Sequence, residues 1–167
     1  MTGERNGLEE LVAVLAEFLP DERIGRAVAD VYERVERDVS SLRPTCWNRG
    51  QCCNFGRAGH RLYVTTPELI HFGQTHKSLP AAPDAQACPH QMDGACHARE
   101  ARPLGCRVYF CQASTGWWQP PMTEKHLAEL RAIGNRFDIP YAYTEWLGGL
   151  RALNDARLAV ATARRGE

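Results

Sequence analysis

Apolar residues recur at helical spacing over the first forty positions. Leu8, Leu11, Val12, Leu15 and Leu19 share one face of a helix that Asn6 can cap and Pro20 must end. Ile24, Ala27, Val28, Val31, Val35, Val39 and Leu42 mark the buried stripe of a second helix, with Asp21 and Glu22 suited to its start and Pro44 to its stop. The period returns after Pro120 and Pro121, where Thr123 caps a helix with Leu127, Leu130, Ile133 or Gly134, and Phe137 on one side, closed by Pro140. Thr144 starts a last helix that buries Trp146, Leu147, Leu150, Leu153, Leu158 and Val160, before a fraying tail from Ala163.

The middle of the chain loses this regularity. Residues 45–59 combine Gly50, Gly56 and Gly59 with three cysteines, which predicts an irregular loop shaped around something other than its own side chains. Residues 61–65 have the composition of a short strand, and Thr66 and Pro67 suit the cap and first position of a short helix reaching about His76. Residues 77–91 hold three prolines and predict coil. The expected fold is therefore mainly α with little β: one domain of four or five helices, over 6–43 and 123–163, flanking an irregular cysteine-rich segment at 46–111.

A length of 167 residues suits one domain with a real core. Twenty basic and twenty acidic side chains cancel, so the summed field gives no reason to expect nucleic acid or an anionic membrane as partner. The polar start has no secretory apolar region, and no stretch approaches the roughly 18 apolar residues of a membrane span, which predicts a cytoplasmic protein. Gly-rich phosphate loops, His-Glu-x-x-His and Gly-x-Ser-x-Gly are all missing, so nucleotide hydrolysis, zincin proteolysis and serine hydrolysis have no support.

Seven cysteines change the picture. They form two groups, Cys46, Cys52 and Cys53 in the first loop and Cys88, Cys96, Cys106 and Cys111 in the second, and all avoid the expected helices. Cysteines serving only as small buried hydrophobes would lie on helix faces. Thiolates are soft ligands that select zinc, copper(I) or iron–sulfur clusters, and the set exceeds the four needed for a complete shell. Adjacent Cys52 and Cys53 should diverge, so that one binds while the other packs, reacts or serves a second metal. Arg102 and Arg107 flank Cys106, where their charge would offset a multi-thiolate site. His60, His90 and His97 lie close enough in sequence to supply a nitrogen ligand. Trp117 and Trp118 follow the last cysteine and suit core packing, or a cover over the site.

Four stretches follow one another in order: Cys46-Trp-Asn-Arg49-Gly50-Gln-Cys52-Cys53, then Leu62-Tyr-Val-Thr65-Thr66-Pro67-Glu68-Leu-Ile70, then Cys88-Pro89 through Gly94-Ala-Cys96, then Arg102-Pro103-x2-Cys106-Arg107. Together they resemble the YkgJ-type cysteine cluster proteins, a zinc- or iron-chelating domain family named for Cys-x2-Cys-x2-Cys-Cys. The resemblance covers about residues 46–111. Arg49 stands where the family has its second cysteine, and Arg99 where a tyrosine commonly follows the Cys96 position. Cys46 thereby loses its chelating neighbour, and Cys111 is available to make up the number. A related domain in flagellin lysine methylases is associated with an iron–sulfur cluster, so the resemblance implies a [4Fe-4S] cluster, with zinc as the alternative. The expected roles are a metal or cluster protein serving electron or group transfer or a partner protein or small molecule, an enzyme acting through the metal, or a structural zinc domain.

Overall fold

The computed structural model describes residues 2–47, 50–78, 86–92 and 94–163. The elements run α1 (Thr2–Phe18), α2 (Glu22–Ser41), α3 (Phe55–Ala58), β1 (Tyr63–Thr65), α4 (Thr66–Thr75), β2 (Gln91–Met92), β3 (Ala95–Cys96), α5 (Leu104–Val108), α6 (Gln119–Arg136), β4 (Tyr143–Glu145) and α7 (Trp146–Ala163). The protein is mainly helical with little strand, as its hydrophobic period predicts. Arg49 and residues 79–85 of the coil expected over 77–91 lie outside the described residues. Among the described residues, no helix is long and apolar enough to cross a membrane.

Helix α4 is the hub. It touches α1, α2, α6 and α7, and its residues from Thr66 to Ile70, with Phe72 and Gly73, are buried among them. Leu69, Ile70 and Phe72 accordingly have no exposed surface, and a side chain at Gly73 would run into Leu19 and Leu153. Around this hub α1 lies against α7, and α2 against α6. The core runs without a break from Leu11 on α1 to Ala156 on α7.

Several boundaries differ from the sequence reading, each for a local reason. Helix α1 begins ahead of Asn6, which lies inside it, and its buried residues are Leu11, Val14 and Leu15, while Leu8 is exposed. Leu42 is exposed beyond the end of α2. Thr65, not Thr66, caps α4, because only Thr65 has a glutamate three residues on. The Thr65 hydroxyl accepts from the Glu68 N–H, and the Glu68 carboxylate accepts from the Thr65 N–H, which closes a capping box. Helix α6 starts at Gln119 with both prolines in its first turn, where their missing N–H groups would have had no partner anyway. Thr123 then bonds back to the Gln119 carbonyl instead of capping.

Thr144 starts no helix. It lies in β4, paired antiparallel with Val64 of β1, and α7 begins at Trp146. On α7 the small residues Ala152 and Ala156 fill the buried face, and Leu158 is exposed. Trp118 is buried in the core, whereas Trp117 stands in solvent.

Candidate metal centre

Three separate stretches meet beside α4. In the first, Gly50 takes a left-handed φ of 65°, and a side chain there would strike Gln91 and the Gly94 carbonyl. This tight start winds residues Gln51–Cys53 into a 3-10 turn. The second stretch docks on it: the Cys88 N–H donates to the Cys53 carbonyl at 2.7 Å, and the Gly56 N–H to the Gln86 carbonyl at 3.0 Å. Cys96 then comes back beside Gln91 across the β2–β3 hairpin, turned at Gly94 with φ 76°. The third stretch is α5, which carries Cys106. Cys106 therefore sits on a short helix, contrary to the expectation that all seven cysteines avoid helices.

Glu68 anchors α5. Its buried carboxylate accepts from the Leu104 N–H at 2.8 Å, the Thr65 N–H at 2.8 Å, the Thr65 hydroxyl at 2.9 Å and the Tyr32 hydroxyl at 3.1 Å. Burial nonetheless raises its carboxyl above the usual range, with the four donors opposing.

Five thiols share one electrostatic neighbourhood. Cys52 and Cys53 act on each other: the pairing lowers Cys52 to about 6 and, with burial, pushes Cys53 far up. Burial raises Cys88, with Cys96 and Cys52 adding to the rise. Cys106 is pushed further up, by burial first and then by Cys88, Cys52 and Cys96. Cys46 and Cys111 are exposed, and neither is among the leading influences on those thiols. Their loops meet each other instead, through the Thr45 N–H and the Gln112 side chain at 3.3 Å.

Both arginines pair with Glu36, Arg102 at 3.3 Å and Arg107 at 2.7 Å, and differ in their other contacts. Arg102 lowers both Cys52 and Cys106, which fits a charge that offsets thiolates. Arg107 turns away from the sulfurs. It lies 4.0 Å over the Tyr32 ring, pairs with Glu36 at 2.7 Å and donates to the carbonyls of Arg102 and Glu100, so it holds the chain ahead of α5 in place.

Of the three histidines, His60 stacks on Tyr109 at 5.5 Å and lowers Cys52 by its charge, and His97 is exposed. His90 is buried, its ring edge-on to Phe72 at 5.0 Å, and its Nε2 has no hydrogen-bond partner. The sequence also missed one contact of a residue it placed correctly in the core. Trp146 reads as core, yet its indole N–H donates to the Cys88 sulfur at 3.4 Å. The signal was present in the residue type, since a buried indole N–H needs an acceptor.

Among the described residues, no three His, Cys, Asp or Glu side chains lie close enough together to grip one metal ion. The groups in this region are thiols, the Arg102 guanidinium and the orphaned Nε2 of buried His90, and thiolates are the ligand type that soft metals prefer.

The surrounding histidines make stability pH-dependent. Burial first, then the Arg107 charge, lowers His71 to about 4. Unfolded, it takes its proton near 6.5, so its contribution is complete above 6.5 and is lost as pH falls from there to about 4. Urea unfolding of metal-free protein should show stability lower at pH 5.0 than at pH 7.5 by about 2 kcal/mol from this residue. His71→Phe, which keeps a ring against Tyr32, should remove that part of the difference.

Compared with known proteins, the chain matches no family model, no curated protein and no solved structure.

Proposed function

We propose that this chain binds a thiolate-ligated metal centre, an iron–sulfur cluster of the [4Fe-4S] type in the first instance and zinc as the alternative. Cys52, Cys88, Cys96 and Cys106 are the core ligands, with Cys53 as a fifth thiol at the same place. The observation that carries the reading is that three stretches of chain bring five cysteines into one region, with Cys88 docked on the Cys53 carbonyl and Cys96 paired across from Gln91, so that their charges act on one another. The motif likeness to the YkgJ-type proteins over 46–111 points the same way.

A bound cluster would supply electron or group transfer. The chain's own part is to present the sulfurs, offset their charge with Arg102, and wall the site with Phe72 and Trp146, both fully buried. The role we assign is redox or group-transfer support of a protein or small-molecule partner in a reducing cytoplasm, which the seven free thiols favour.

The deciding experiment is metal and acid-labile sulfide analysis, with a visible spectrum, on protein purified without oxygen and without added metal. The expected result is brown protein with about four iron and four sulfide per chain. Colourless protein with one zinc and no sulfide replaces the cluster by a zinc site. Protein that holds neither, and takes up neither when offered, overturns the metal reading.

A further inference from the structure

We propose that Trp146 is a positioning residue for the metal centre, orienting the Cys88 sulfur and drawing electron density from it through an indole N–H···S hydrogen bond. The inference rests on the reading above and adds a residue outside the span of the family resemblance.

An indole N–H can only donate, and a buried donor without an acceptor is costly. Trp146 is 1% exposed, and the acceptor it finds is the Cys88 sulfur, at 3.4 Å. The ring is held in that direction from two sides. Its backbone N–H donates to the Leu62 carbonyl at 2.8 Å, continuing the β1–β4 ladder to the first residue of α7. Its face meets Phe72 edge-on, centroids 4.8 Å apart and planes at 88°.

Cys88 has a second donor in the backbone N–H of His90, and the His90 ring packs edge-on against the same Phe72. One phenylalanine thus braces both residues that donate to this sulfur. Hydrogen bonds to sulfur are among the levers that set the potential of a cluster, and such outer partners fix ligand orientation at any thiolate metal site. The two donors should leave Cys88 less electron-rich than it would be without them.

Cobalt(II) titration tests this, because thiolate-to-cobalt charge transfer reports the electron density of the sulfur. Trp146→Phe keeps the ring and deletes the N–H. It should bind cobalt with the wild-type stoichiometry, with its charge-transfer absorption moved to lower energy and its affinity reduced about fivefold, the loss of one ordinary hydrogen bond. Trp118→Phe, at another buried indole, should change neither. Wild-type band energy and affinity in Trp146→Phe overturn the inference and leave the metal centre standing. Wild-type protein that shows no thiolate–cobalt absorption overturns the metal centre itself, and the inference with it. Should Trp146→Phe fail to fold, the indole N–H resonance of 15N-labelled wild-type protein replaces it: a downfield shift on adding cadmium supports the bond to a metal-bound sulfur, and an unmoved resonance overturns it.

Discussion

Cys106→Ser is expected to lower metal affinity by about a hundredfold, whereas Cys46→Ser and Cys111→Ser leave it within about twofold. The first figure follows from dividing the roughly 10–16 kcal/mol of a four-thiolate metal site among its ligands, which leaves about 3 kcal/mol each. The second is the ordinary range for an exposed residue remote from the site. Cys106 is partly buried on α5 and feels the charges of Cys88, Cys52 and Cys96, while Cys46 and Cys111 face solvent. Competition against a chelator of known affinity measures all three variants. Equal losses in Cys46→Ser and Cys106→Ser would place the exposed loop on the metal and overturn this division of the cysteines.

Glu68→Ala should cost about 3–5 kcal/mol of folding stability, measured by urea unfolding of metal-free protein. Removing a buried carboxylate strands every group that bonded to it, and the penalty is the desolvation of those partners more than the loss of the bonds. The stranded groups here are the Leu104 N–H, the Thr65 N–H and hydroxyl, and the Tyr32 hydroxyl. Three elements lose their common tie at once: α2 through Tyr32, the start of α4, and the start of α5. Because α5 carries Cys106, the same variant should also bind metal more weakly, though its carboxylate is no ligand. Glu68→Gln should fall between, since it can still accept from Leu104 and Tyr32 but turns an NH2 group toward the Thr65 N–H. Burial raises the Glu68 carboxyl, so the stability it contributes is complete below the unfolded carboxylate value near 4.5 and is lost as pH rises through the folded value. The gap between wild type and Glu68→Gln should therefore narrow as pH rises.

The long helices were legible because their burial repeats locally. Val28, Val31, Val35 and Val39 recur every three or four residues and all face the core. Strand β4 was not legible, because Thr144 extends only by pairing with Val64, eighty positions earlier, and no nearby residue records that partner. Helix α5 was hidden by its length of five residues and by a start that depends on Glu68. The Thr65–Glu68 box was readable from spacing alone, but the adjacent Thr66-Pro67 pair offered a rival cap. At the candidate centre, cysteine spacing marked the region without sorting the seven sulfurs. What sorts them is burial and the docking of Cys88 on Cys53, both products of the tertiary fold. Arg107 shows the same limit: its position beside Cys106 suggested charge compensation, but Glu36 and Tyr32, far away in sequence, take up its guanidinium.

The pairing of α1 with α7 and of β1 with β4 sets the order in which the molecule can be completed. On the ribosome, Cys111 emerges well before Trp146 and the rest of α7. At ~5–20 residues per second, roughly three to ten seconds separate Cys111 from the end of α7. Through that interval α1 has α4 but not α7 to pack on, and the sulfurs lack the Trp146 half of their wall. The nascent chain thus leaves the Cys88 sulfur without its indole donor, and α1 without its α7 neighbour, until α7 docks.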